Sequence, residues 1–186
     1  VLELHGPTSL QISKINKNLA VVLVAGSAVT MNSWLDNVPA ILDVWYPGEQ
    51  GGNAISDVIF GKVNPSGKLP ITFPKSYSQY PANFYSYDSK IEYKEDIYVG
   101  YRYFDKYKKE VLFPFGHGLS YTDFKYSKLK VSTKKNITNV CVKIENIGNS
   151  DGADVIQLYV RDLKSSVDRP IKELKAFKKV HLKKGE

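Results

Sequence analysis

The order of apolar and polar positions changes character twice along the 186 residues. Near the start, Pro7-Thr8-Ser9 has the composition of a helix cap. Leu10, Ile12, Ile15 and Leu19 follow at partly helical spacing, which predicts a short helix over 7–18. Leu19 to Ala25 is then apolar without alternation, as expected of a strand covered on both faces of a parallel sheet, and Gly26-Ser27 ends it. A second run, Ala40 to Tyr46, stops at Pro47-Gly48, and Met31 to Asn37 between the two runs is long enough for a crossover helix, giving β-α-β order. After Glu49, Ala54, Ile55, Val58 and Ile59 recur at helical spacing and Gly61 is a C-terminal stop, which predicts another helix. Asn64 to Lys68 reads as a turn and Leu69 to Phe73 as a short strand. The first part is α/β.

Residues 77–107 break this pattern. They hold nine of the chain's 13 tyrosines, with Phe84 and Phe104, and aromatic side chains at that density must pack on something. The absence of periodicity predicts an extended arm laid over a neighbouring surface. From Tyr121 the pattern changes again, to short strands with frequent turns. Phe124 and Tyr126 alternate, and Leu129 and Val131 resume out of phase, which predicts a bulge near Ser127-Lys128. Val140, Val142 and Ile144 alternate before a turn at 146–149, and Asp154–Arg161 and Leu174–Leu182 complete the strands. An immunoglobulin-like sandwich has about seven strands in about 100 residues, so residues 119–186 read as an incomplete one.

Composition is that of an ordinary globular protein, with 42% hydrophobic and 24% charged residues. The first residues, Val1 to His5, show no signal-peptide pattern, and no apolar run is long enough for a membrane span. Valine at the start and the turn-like Lys183 to Glu186 at the end read as interruptions of a longer polypeptide. One cysteine, Cys141, excludes an internal disulfide framework and a multi-thiolate zinc site, and is expected to pack as a small buried residue. The compartment stays open, with a secreted or periplasmic location ranked ahead of a cytoplasmic one.

The net charge of +7 is uneven: residues 1–118 carry 11 basic and 11 acidic side chains, and 119–186 carry 15 and 8. Because the lysines alternate with apolar residues along candidate strands, they read as the wet face of a sheet. Nucleic-acid binding has no support beyond that charge.

Val21 to Met31, Ala40-Ile41-Leu42 and Trp45-Tyr46-Pro47-Gly48-Glu49-Gln50-Gly51-Gly52-Asn53-Ala54 are together similar to the second domain of glycoside hydrolase family 3. Asp57 to Gly61, Asn64-Pro65-Ser66-Gly67-Lys68-Leu69-Pro70 and Phe73-Pro74 look like that domain's last helix and strand. Val99 to Asp105 and Phe113 to Thr122 resemble the link into a fibronectin type III-like domain, and Asp168-Arg169-Pro170, Glu173-Leu174-Lys175 and Phe177 to Val180 resemble that domain's middle. Leu4 and Gln11 look like the segment after the acid/base loop, with Leu4-His5 where the family has Leu-Pro.

The resemblance implies three regions: 1–76, the C-terminal portion of an α/β sandwich domain with a mostly parallel sheet; 77–118, an aromatic-rich linker arm; and 119–186, an incomplete fibronectin type III-like β-sandwich. It implies a β-glucosidase or β-xylosidase-like retaining hydrolase without a cofactor. Its aspartate nucleophile, on a (β/α)8-type barrel, and its glutamate acid/base would both precede this chain. Retaining glycosidases need two carboxyl groups about 5–5.5 Å apart, so the chain alone should be inactive and should act as support for the barrel.

Two residues are candidates for contact with the sugar. Trp45 could stack on a pyranose, and Glu49 lies at a strand-to-helix junction where α/β ligand sites form. The tyrosines of 77–107 could stack likewise, but for them packing between domains ranks ahead, as does stabilisation by a helix N-terminus for Glu49. His117, between two glycines, reads as a polar bridge in a tight turn. Gly48, Gly51 and Gly52 lack the spacing and the Lys-Ser/Thr of a phosphate loop. Asn136-Ile137-Thr138 is a glycosylation sequon, and no metal-ligand cluster is evident. The competing reading is a stand-alone carbohydrate- or protein-binding module without catalysis.

Overall fold

The computed structural model describes residues 2–3, 7–80 and 93–186. The chain begins with β1 (Leu2–Glu3) and α1 (Pro7–Ile15), followed by β2 (Ala20–Leu23), β3 (Val29–Thr30) and β4 (Ala40–Asp43). Strands β1 and β3 pair in parallel, as do β2 and β4, whose register matches Ala20 with Ala40 and Leu23 with Asp43. The β-α-β order therefore holds in its strands. Its crossover does not: only a 3₁₀ turn at Leu35–Asn37 stands where a crossover helix was expected. Trp34 at its start is 2% exposed and part of the core, and Met31 O accepts the backbone bonds of Trp34 and Leu35.

The apolar run of β2 is also less enclosed than its composition suggests, since only Leu23 is buried within the strand and Val24 after it is 59% exposed. One face packs on the core of Leu23, Ala28, Val29, Met31, Trp34, Val38 and Phe73, and the other, with Val22 half-buried and Val24 exposed, is less covered among the described residues. Burial of each large side chain in such a core is worth about 1.5–3 kcal/mol.

Helix α2 (Gly51–Ile59) lies where periodicity places it, and Gly61 at φ +72° supplies the left-handed residue that ends it. Next come β5 (Phe73–Pro74), α3 (Tyr101–Lys106) and β6 (Val111–Phe113), with β5 and β6 antiparallel. The strand expected over Leu69–Phe73 is thus confined to its last residue and Pro74. Leu69 instead bonds through its backbone to Gly116 and His117, at 2.7 and 2.8 Å. The expected extended arm is partly helical. The part of it over 81–92 lies outside the described residues, and 101–106 forms α3, because Tyr101, Phe104 and Tyr107 at three-residue spacing turn rings toward Phe115, Tyr80 and Tyr98.

The second part consists of two antiparallel hairpins. Strands β7 (Phe124–Lys134) and β8 (Ile137–Asn146) form the first, and β9 (Gly152–Val160) and β10 (Glu173–Leu182) the second. The bulge falls between Ser127 and Lys130, with Lys128 at φ +55°. Lys135 and Asn136, at φ +48° and +61°, form the two-residue connection, as a type I′ turn requires. Cys141 is exposed and not buried, because it stands opposite Lys130 on the outer face while Val140 and Val142 turn inward. Asn136 is exposed at the hairpin tip. Within the described residues the molecule is an α/β segment followed by part of an all-β sandwich.

Candidate functional site

The loops after β2 and β4 lie at the carboxyl ends of parallel strands, where α/β folds collect ligands. The Val44 N–H donates to Leu23 O at 3.0 Å and carries the pairing one residue past β4, and then Trp45 adopts φ +52°. That backbone places the indole edge-on to Phe73, with centroids 6.4 Å apart, as part of the core. Trp45 is therefore half-buried packing here. Tyr46 points outward, 77% exposed, with its ring over Gly26: a Cβ on Gly26 would come within 2.5 Å of it. Asp43 ends β4 with Oδ2 buried and free of hydrogen bonds; burial raises its pKa, and the Trp45 N–H on Oδ1 only partly counters this. Glu49 is exposed in the same loop cluster. Gln50 caps α2 and its first turn has no acid, so Glu49 lies one residue before the cap and outside the helix start to which sequence assigned it.

A second cluster joins the α/β part to the hairpins through the turn at 64–68. Asn64 Oδ1 accepts from Ser120 Oγ at 2.9 Å and from the Tyr121 N–H at 2.8 Å, while its Nδ2 donates to Asp151 O at 3.0 Å. Lys68 Nζ donates to Gly118 O at 2.6 Å and pairs with Asp154 Oδ1 at 2.9 Å, and the Tyr126 hydroxyl takes the other Asp154 oxygen. Burial, the largest influence on Asp154, raises its pKa. The bonds from Tyr126, Lys68 and the Val155 N–H outweigh this and leave it below the usual carboxylate value. Gly118 is required here, since a Cβ would lie 2.1 Å from Gly67 O. His117 sits in the turn, as expected, but its ring stacks on Phe113 at 5.1 Å, which makes it a packing group and not a polar bridge. Burial and then the nearby Lys68 hold its pKa below the ordinary value.

Asn146, 1% exposed, ties the two hairpins together. Its Oδ1 accepts from Thr122 Oγ at 2.7 Å and from the Gly148 N–H, and its Nδ2 donates to Ser150 O and Leu182 O. Further along, Lys106 of α3 binds Asp168 at 2.6 Å and the Tyr98 hydroxyl at 2.9 Å, holding the β9–β10 loop against the aromatic segment. None of these polar groups was singled out from sequence. Asn64 and Lys68 lay in a recognised motif whose only visible property was a turn.

Among the described residues no cluster of metal-ligating side chains occurs, and no helix is long and apolar enough to cross a membrane. The architecture is thus a strand-end loop cluster on an α/β unit, clamped to a β-sandwich unit through its final turn.

Residues 8–121 match the model of the glycosyl hydrolase family 3 C-terminal domain and residues 154–186 that of a fibronectin type III-like domain. The chain belongs to the glycosyl hydrolase family 3 C-terminal domain family. It is 50% identical over 181 residues to thermostable beta-glucosidase B of Acetivibrio thermocellus, covering 94% of this chain and 24% of the relative. With beta-glucosidase BoGH3A of Bacteroides ovatus it shares 49% identity over 93% of this chain and 24% of the relative. Beta-glucosidase 3B of Thermotoga neapolitana, solved in complex with glycerol, superposes with a TM-score of 0.93 at 41% identity, over 99% of this chain and 28% of that one. The chain thus spans about a quarter of the length of the relatives it matches.

Proposed function

We propose that this chain is the supporting C-terminal region of a retaining glycoside hydrolase that removes terminal β-linked glucose, or xylose, from oligosaccharides or glycosides. The observation that carries the reading is the clamp of Asn64 and Lys68 on 118–121, Asp151 and Asp154, which joins the α/β segment to the sandwich segment at the turn after α2. A brace for a catalytic barrel needs such stiffness, because groups acting in concert must be held in place to a fraction of an ångström.

In this reading residues 1–76, 77–118 and 119–186 serve as the end of the α/β domain, a linker arm and part of a fibronectin type III-like domain. The partner of the chain is a (β/α)8-type barrel in the same polypeptide. The nucleophile aspartate lies on that barrel and the acid/base glutamate on a loop outside these residues, and no cofactor is required. Trp45 acts through packing. In this reading Glu49, exposed after β4, contacts a sugar hydroxyl.

The test is the intact mass and activity of the native protein carrying this sequence. The expected result is a polypeptide several times 21.0 kDa that hydrolyses aryl β-glucosides or aryl β-xylosides, the ratio of the two naming the sugar. A stable native species of 21.0 kDa without hydrolysis would replace this reading with that of a binding module.

A further inference from the structure

The excess positive charge of the chain is concentrated on one hairpin. Between Asp123 and Glu145 stand six lysines, at 125, 128, 130, 134, 135 and 143, with no acidic residue and no arginine. Strand pairing sorts them by face. Lys125 stands opposite Glu145, Lys130 opposite Cys141, Lys134 opposite Ile137 and Ser127 opposite Lys143, and residues opposite one another in an antiparallel pair project from the same side. Lys125, Lys130, Lys134 and Lys143 therefore share one face. Tyr126 and Val131, opposite Ile144 and Val140, occupy the other. All four lysines are exposed.

The one acid on this face, Glu145, is bound by Lys143 at 2.7 Å, which leaves the other three lysines uncompensated by any acid of the hairpin. The bond from Lys143 lowers the carboxyl pKa, and the charges of Lys125 and Lys128 lower it further, so the local potential is positive. At about 3.3 Å per residue, Lys125 to Lys134 spans roughly 30 Å.

We infer that this lysine face is a docking surface for an acidic polysaccharide, a linear polyuronate. A long, shallow, pleated stripe fits an extended polymer better than a compact anion. Single-point ammonium groups suit carboxylates spaced along such a chain. Nucleic acid fits less well: the face has no arginine fork for bidentate phosphate contact and no aromatic ring for a base to stack on, since Phe124 and Tyr126 lie on the other side.

The test is electrophoresis of the native protein through gels containing polygalacturonate, neutral β-glucan or single-stranded DNA. The expected result is retardation by polygalacturonate alone, lost between about 50 mM and about 500 mM salt as screening shortens the reach of the charges. The triple variant Lys125→Glu, Lys130→Glu, Lys134→Glu should weaken binding at least about tenfold, while Lys175→Glu, Lys178→Glu, Lys179→Glu on β10, with the same change in net charge, should stay within about twofold. If reversed charge perturbs folding, the glutamine versions of both sets, Lys125→Gln, Lys130→Gln, Lys134→Gln against Lys175→Gln, Lys178→Gln, Lys179→Gln, give the same comparison. No retardation of the native protein, equal losses in the two sets of variants, or stronger retardation by DNA would each overturn the assignment.

Discussion

At the scale of single residues, the side chains that hold this molecule together are polar ones whose importance depends on what surrounds them. Asn146 is buried and bonded through both ends of its amide, so Asn146→Ala strands the Thr122 hydroxyl and the carbonyls of Ser150 and Leu182 at once. The expected loss is about 3 kcal/mol, read from chemical denaturation, and a loss under about 0.5 kcal/mol would mean that water replaces the amide. Two glycines make a sharper contrast. Gly118→Ala drives a methyl into the backbone carbonyl of Gly67 and should cost about 2 kcal/mol or more. Gly26→Ala meets only the ring of Tyr46, which is 77% exposed and can swing into solvent, so its cost should stay under about 1 kcal/mol. Equal melting temperatures for the two variants would contradict this account. Sequence showed both glycines as turn residues and could not rank them, because the rank depends on whether the obstructing atom is fixed backbone or a mobile ring tip.

At the scale of elements, local pattern predicted more. Helix α2 with its Gly61 stop, the bulge after Ser127 and the four sandwich strands were all legible, since each rests on spacing between near neighbours. The failures came where distant residues decide. The crossover became a 3₁₀ turn entered through Trp34, whose side chain is buried in the core, and 101–106 became helical with rings that find partners from Tyr80 to Tyr159. The β7–β8 turn invites improvement. Lys135 and Asn136 both hold positive φ, and Lys135 bears a Cβ that opposes it. Lys135→Asn combined with Asn136→Gly should stabilise the protein by about 0.5–1 kcal/mol, measured by the denaturation midpoint. A destabilised double variant would show that the connection is not of type I′.

At the scale of the whole molecule, the clamp between the two parts makes stability depend on pH. Asp154 has a folded pKa below its ordinary value, so its contribution is present above that value, 3.8, and is lost as pH falls through the folded pKa. His117 is likewise depressed, so protonation below its ordinary value of 6.5 opposes folding and removes stability at the upper end of the acid range. Melting temperature should therefore fall in two stages as pH is lowered from about 7 to about 3. Asp154→Asn should start lower near neutrality and lose the later stage, and His117→Gln should lose the earlier one. Parallel curves for the native protein and both variants would place the acid sensitivity elsewhere, for example at Glu110 or Asp168, whose carboxyls are also held low by lysines.

The sequence by itself determined the class of fold, the family and the succession of its main elements, because those follow from local periodicity and from motifs contiguous in the chain. It also suggested that the lysines of 119–186 lie on a wet face, since alternation implies sidedness. Only the tertiary structure decided that Trp45 packs half-buried on Phe73 and Glu49 precedes its helix, that Cys141 is exposed, and that Asn64, Lys68, Asn146 and Asp154 form the joint. The physical reason is the same in each case. A polar side chain's role is set by the partners that close its hydrogen bonds, and here Asn64 and Lys68 find theirs 56 residues or more away in Ser120 and Asp154, beyond the reach of any pattern read between neighbours.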